Sequence, residues 1–332
     1  MKTLVVVEES PEFKGELVFQ PFQNEQIFFE LYQDWLSRYL ILNQLFVLDD
    51  FVRQLESDGY TVVFGESARP LLEGYERWRK PLDIKGFHAP GGGSLYEYQV
   101  FSLNRALERM ELPEANDRTY FCGWCPGAGK SVFACAGAQE AVNRGQVDLV
   151  LAFTLMKLKT NLSNFFQANT SLQTVVNDGP AAKRKARYEN GSQVFVLNYD
   201  KAWADFEYLL PLVTGKRVLF ILDEAQKVLT DGSPNRSRKH LDKLIQASEP
   251  VIWPMSATVV SHSPFKYRDV FSIGGFRRNP LGTKADFEIR YAKRRRFFEI
   301  RTKSGGKFQQ IFYDWDLPKL HEIRHRVADR CH

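Results

Sequence analysis

The chain has 332 residues, 44% hydrophobic and 26% charged, with a formal net charge of +5, as expected of a globular protein of one or two domains. It lacks an uncharged apolar run of about 18 residues, and its N-terminal Leu4-Val5-Val6-Val7 is too short for a signal peptide, so an intracellular setting (cytoplasm or nucleus) without a membrane partner is expected. Four cysteines, Cys122, Cys125, Cys135 and Cys331, fit a reducing compartment and give no disulfide framework, while the mild positive charge permits a polyanionic partner without requiring one.

Residues 1–87 read as a small α+β accessory domain. Val- and Phe-rich stretches predict strands at residues 4–7, 16–20 and 60–64, and helical periodicity covers residues 24–40, 49–58 and 68–79. Residues 88–94, His-Ala-Pro-Gly-Gly-Gly-Ser, predict a linker, because consecutive glycines lose too much entropy inside a helix or strand.

From residue 95 to residue 300 strands and helices alternate. A helix is expected over residues 95–110, a strand at 119–123, a glycine-rich turn, and a helix over 130–143. Further strands follow at residues 148–153, 193–197, 218–222 and 251–255. Short strands that are apolar on both faces predict a mostly parallel sheet sandwiched by helices, an α/β fold. Residues 301–332 read as a basic linker.

Two segments carry chemistry. Pro126-Gly127-Ala128-Gly129-Lys130-Ser131 lies between a predicted strand and helix. Glycines there let backbone N–H groups turn inward around phosphates, the lysine supplies a point charge, and the Ser131 hydroxyl suits Mg²⁺. Trp124 stands where such loops have a small residue. The second segment is the apolar run Val218-Leu219-Phe220-Ile221-Leu222, which ends in Asp223-Glu224-Ala225-Gln226. Paired carboxylates at a strand end place one acid on a metal ion and the other on the attacking water. A third strand ends in Ser256-Ala257-Thr258.

Taken in this order, the three strand-end motifs resemble those of superfamily 2 helicases and translocases, whose first motor lobe is a RecA-like phosphate-loop domain. Leu95-Tyr96-Glu97-Tyr98-Gln99 is similar to the element whose glutamine reads adenine. Val194-Phe195-Val196-Leu197-Asn198-Tyr199 and the segment from Asn279-Pro280 through Tyr291 resemble the Swi/Snf-type, annealing-helicase-like branch. The resemblance spans residues 95–320 and implies an ATP-dependent motor acting on nucleic acid, in particular double-stranded DNA. ATP and Mg²⁺ would be its cofactors, with Gln99, Pro126, Gly127, Ala128, Gly129, Lys130 and Ser131 on the nucleotide and Ser131 and Asp223 on the metal. Glu224, Lys130 and Gln226 would be catalytic, and Gln226, Ser256 and Thr258 would couple the nucleotide to the track. The family also requires a second RecA-like lobe bearing arginine fingers. None is evident in the 41 residues after Tyr291 (332 − 291), so the chain is expected to be an N-terminal part of a longer protein, or to take that lobe from another chain.

Other signals compete. Cys122-Gly123-Trp124-Cys125 imitates a redox pair on the same turn as the phosphate loop. His321-Glu322-Ile323-Arg324-His325 matches a zinc-protease pattern, against which stands a solvated basic helix. Basic runs occur at Lys183-Arg184-Lys185-Ala186-Arg187, at residues 236–239, at Arg277-Arg278 and at Lys293-Arg294-Arg295-Arg296. The last is followed by two phenylalanines and is the best candidate for phosphate-backbone contact. The rival functional reading is a non-catalytic nucleic-acid- or protein-binding module that keeps the fold.

Overall fold

A computed structural model of the chain describes residues 4–9, 17–21, 48–230, 234–258, 263–275, 279–301, 307–316 and 323. The helix expected over residues 24–40, Arg277-Arg278, and the histidines of the zinc-protease pattern lie outside these.

The N-terminal part contains a three-stranded sheet in the order β2-β1-β3. Its strands are β1 (Leu4–Glu9), β2 (Leu17–Pro21) and β3 (Thr61–Phe64), and α1 (Leu48–Ser57) precedes β3. Strand β1 pairs antiparallel with β2 and parallel with β3. The next helix, α2 (Arg69–Trp78), packs on α3 (Glu97–Arg109). Trp78 meets Phe101 edge-on at 5.7 Å, Arg77 pairs with Glu108 at 2.7 Å, and Asn104 Nδ2 donates to the carbonyls of Trp78 and Lys80. The glycine-rich stretch between these helices folds as a single 3-10 turn, Pro90–Gly92, with Gly91 and Gly92 at φ 72° and 71°.

The main sheet has five parallel strands in the order β5-β6-β4-β7-β8. They are β4 (Leu149–Thr154), β5 (Thr174–Val176), β6 (Val194–Asn198), β7 (Arg217–Asp223) and β8 (Glu249–Met255). The strand expected at residues 119–123 pairs in parallel with β8, Thr119 beside Ile252 and Cys122 beside Met255, and so extends the sheet beyond β8. Backbone bonds from Tyr120 and Cys122 to the Ile252 and Pro254 carbonyls hold it there. Pro250 and Pro254 within β8 carry no N–H, and Pro254 serves the ladder as acceptor alone.

Alternation along the strands feeds two cores. Leu151, Phe153, Phe195, Phe220 and Leu222 face one side; Val150, Ala152, Val196, Leu219 and Ile221 face the other, all fully buried. Burial on both faces accounts for the unbroken apolar runs in the sequence. The second face is covered by α3, α4 (Lys130–Asn143) and α5 (Lys159–Asn169). Helix α4 crosses so closely that a Cβ on Gly137 would lie 2.4 Å from the Trp253 ring. Helix α6 (Ala181–Tyr188) follows β5. The first face is covered by α7 (Lys201–Ala204), α8 (Phe206–Val213), α9 (Arg236–Gln246), α10 (Phe265–Val270) and α11 (Lys284–Tyr291).

Beyond α11 the chain forms an antiparallel pair, β9 (Ala292–Arg301) and β10 (Lys307–Trp315). Part of the stretch read as a basic linker is therefore strand. Trp315 packs edge-on against Phe265 at 5.0 Å, tying the pair to α10 and α11. Ile323, inside the zinc-protease pattern, is 3% exposed in the first-face core, which corrects the solvated-helix reading at that residue. No helix among the described residues is long and apolar enough to cross a membrane.

Candidate functional site

In a parallel sheet every strand delivers its following loop to the same edge, where ligands bind in open α/β sheets. The stretch at residues 119–122, β7 and β8 run parallel, so the glycine loop, Asp223-Glu224 and Ser256-Ala257-Thr258 all emerge at that edge. Because β8 lies between the other two, Ser256 stands between the loop and the acids.

The loop turns through Gly127 and Gly129 at φ 81° and 85°, conformations that disfavour any residue with a Cβ. At Gly129 a Cβ would also sit 2.3 Å from Gln99 Nε2. Pro126 and Gly127 are exposed, whereas Ala128, Gly129, Lys130 and Ser131 are half-buried. Lys130 opens α4, whose N-terminus has no side-chain cap and no acid in its first turn. Its unpaired N–H groups and the positive end of the helix dipole therefore favour an anion. Lys130 Nζ donates to the carbonyls of Trp124 (2.9 Å) and Cys125 (3.2 Å). The unusual Trp124 is accommodated because its ring turns into the core, 7% exposed, against Tyr98 at 5.2 Å and Phe133 at 5.4 Å.

Gln99 is 3% exposed and braces this loop. Its Oε1 accepts from the Tyr96 N–H at 3.0 Å, and its Nε2 donates to the Ala128 carbonyl at 3.4 Å. Tyr98 donates to the same carbonyl at 2.8 Å. Sequence reasoning did not single out Tyr98 for this role.

Across the edge, Asp223 Oδ2 accepts from Thr154 Oγ1 at 2.7 Å. Burial raises the Asp223 carboxyl above its ordinary range, and the charge of Glu224 adds to this. The Thr154 and backbone hydrogen bonds and the charge of Lys130 oppose it. Asp223 has no ion pair among the described residues. Glu224 follows at φ 52°, ψ 48° and is the one non-glycine residue with positive φ among them. Its Oε2 accepts from Gln226 Nε2 at 2.5 Å, while Gln226 Oε1 accepts from Ser256 Oγ at 2.7 Å. Ser256 Oγ in turn accepts from the Thr258 backbone N–H at 3.1 Å, which leaves the Thr258 side chain exposed. Thr154 was missed in sequence because nothing local marks it: it lies 69 residues from its partner.

The redox reading loses ground. Burial pushes the Cys122 thiol up to about 12, so it keeps its proton at neutral pH and lacks the thiolate that redox chemistry needs. Among the described residues, which do not include His321, Glu322 and His325, no group of three or more His, Cys, Asp or Glu side chains is arranged to hold a metal ion.

The basic runs divide into buried, ion-paired residues and exposed ones. Arg184 forks onto the fully buried Asp205 at 2.7–3.0 Å, and Arg238 is buried between Asp242 and Asp269. These two are structural cations. Arg236 lies over the Trp203 ring at 3.9 Å, and Lys183, Lys185 and Lys239 are exposed. Lys293 and Arg294 are exposed on β9, Lys293 at 3.9 Å from Asp316. Arg295 and Arg296 follow them on that strand, in register with Tyr313 and Phe312.

No protein-family model matches this sequence. No curated protein matches it either. Among solved structures, the chain is similar to the SWI2/SNF2 ATPase core of Sulfolobus solfataricus in complex with double-stranded DNA, with a TM-score of 0.55 and 15% identity. The match covers 76% of this chain and 46% of that one, so this chain spans less than half of that structure. At this identity the likeness is one of fold, a RecA-like α/β domain built on a mostly parallel five-stranded sheet flanked by helices.

Proposed function

We propose that the chain is the nucleotide-binding lobe of an ATP-dependent nucleic-acid translocase or helicase acting on double-stranded DNA. The observation that carries this reading is the gathering of Lys130, Asp223, Glu224 and Ser256 at one edge of a parallel sheet, with β8 between the loop and the acids. The fold it shares with an ATPase core solved on double-stranded DNA supports the same reading.

The side chains fit ATP and Mg²⁺. An uncapped helix N-terminus and Lys130 suit the phosphates, and Gln99, the candidate for selecting adenine, would have to release its bonds to Tyr96 and Ala128 to reach a base. The Ser131 hydroxyl and the half-buried carboxylate of Asp223 suit a divalent cation. Bound magnesium would draw charge off the phosphate oxygens. On the protein side, Thr154 holds the Asp223 carboxylate in place, and Glu224 orients a water and takes its proton at a carboxylate oxygen. Gln226, Ser256 and Thr258 link Glu224 to the loop after β8, a route by which contact with the track could gate the acid. Lys293 and Arg294, with Arg295 and Arg296 beyond them, are the candidate backbone-gripping strand.

This reading assigns residues 1–87 to an accessory domain and 95–300 to the motor lobe, with β10 and Ile323, which pack on that lobe, belonging to it rather than to the connection of residues 301–332 toward a second lobe. An arginine supplied by that lobe is worth on the order of 10³–10⁵ in rate, so this chain alone should hydrolyse ATP slowly. Phosphate release is to be measured with and without duplex DNA. Slow turnover that rises when a second lobe is supplied fits the proposal. Nucleotide binding with no turnover under either condition would favour the non-catalytic module.

A further inference from the structure

Glu224 occupies the left-handed region, where a side chain with a Cβ costs about 1–2 kcal/mol, so the surrounding structure must hold it there. The peptide leading into Glu224 carries the Asp223 carbonyl, and that oxygen accepts a hydrogen bond from the Tyr199 hydroxyl at 2.7 Å. Tyr199 directly follows β6, and β4 separates β6 from β7. The Tyr199 ring is 3% exposed and stacks on Phe153 of β4, with centroids 5.9 Å apart and planes 20° apart. The stack aims the hydroxyl at one backbone oxygen. Thr154 grips the Asp223 side chain separately.

We infer that Tyr199 is a positioning residue for Glu224. Its hydroxyl clamps the Asp223–Glu224 peptide and keeps Glu224 in the left-handed turn from which its carboxylate meets Gln226. The inference rests on the proposed role of Glu224 as the residue that receives the proton of water. Without the clamp, Glu224 relaxes to negative φ and its carboxylate leaves the position Gln226 now holds.

Tyr199→Phe removes one oxygen and keeps the ring. Single-turnover hydrolysis at saturating Mg-ATP should slow about tenfold, while nucleotide affinity stays within about twofold, because the lost hydrogen bond acts on the acid and not on the phosphate loop. In the Glu224→Gln background the same substitution should cause no further loss. A crystal structure of Tyr199→Phe should show Glu224 at negative φ. An unchanged rate, a parallel loss of rate and affinity, an additive loss in the Glu224→Gln background, or retention of positive φ would each overturn the inference. If the unaltered chain neither binds nor hydrolyses ATP, the functional proposal fails. The Glu224 backbone in the Tyr199→Phe crystal then decides the clamp by itself, negative φ upholding it and positive φ refuting it.

Discussion

Ser256 Oγ donates to Gln226 Oε1 at 2.7 Å, and the other end of the same amide donates to Glu224. One side chain thereby joins the segment after β8 to the acid after β7. The amide cannot rotate to serve a new partner at one end without disturbing the other, and this rigidity makes the pair a candidate transmitter.

Ser256→Ala removes the donor to Gln226 and leaves the loop and Asp223 intact. Allosteric coupling energies correspond to about 5–150-fold effects. The variant should bind Mg-ATP within about twofold of the parent and lose roughly tenfold of any stimulation by duplex DNA. Parallel titrations of ATP and DNA in a phosphate-release assay check this.

The half-buried Asp223 sets a pH dependence. Folded Asp223 holds its proton more tightly than the unfolded chain does, because burial raises its pKa. Its contribution therefore favours the fold at low pH and is lost as pH rises through the raised value. Without nucleotide, Asp223→Asn should raise Tm at pH 7–8, and the gain should vanish as pH falls toward the ordinary carboxylate value of about 4. With excess Mg-ATP the parent should gain more in Tm than the variant, since only the parent keeps the carboxylate. Thermal melts across pH, with and without Mg-ATP, give the comparison.

Much of this arrangement was legible in sequence. Lys130-Ser131 after two glycines marked the start of α4, and the helix spans residues 130–143 as expected. The acids at the end of an apolar run marked β7. Thr154 was not legible, because it touches Asp223 only once β4 and β7 pair. Nor was the split among basic residues, since Arg184 and Lys183 are indistinguishable until Asp205 is buried beside one of them. The strand at residues 119–123 was legible as well: it runs in parallel register with β8, Thr119 beside Ile252 and Cys122 beside Met255, and its ladder is broken where Pro254 offers no N–H.

Gly129 tests the loop geometry. Gly129→Ala meets both a positive φ of 85° and a Gln99 nitrogen at 2.3 Å. The strain is at least about 1–2 kcal/mol, so Tm should fall by a few degrees. Nucleotide affinity should fall with it as the loop opens. Gly145→Ala, also at positive φ but with nothing near its Cβ, serves as the control that should lose stability and keep affinity.

The basic residues should separate by assay. Arg184→Ala leaves the fully buried Asp205 without its cation, a loss of about 3–5 kcal/mol to be read in urea unfolding. Lys183→Ala and Lys185→Ala should leave stability unchanged. If α6 faces the DNA backbone, each should lower the salt dependence of duplex binding by about one unit of slope.

The most direct test of the account is calorimetric titration of Mg-ATP into the chain and into its Lys130→Ala variant. The account predicts measurable binding to the parent and a loss of about 100-fold or more in the variant, the size expected when a charged phosphate contact is removed from a loop built around it. Equal affinity in the two proteins would contradict the assignment of the glycine loop as the nucleotide site.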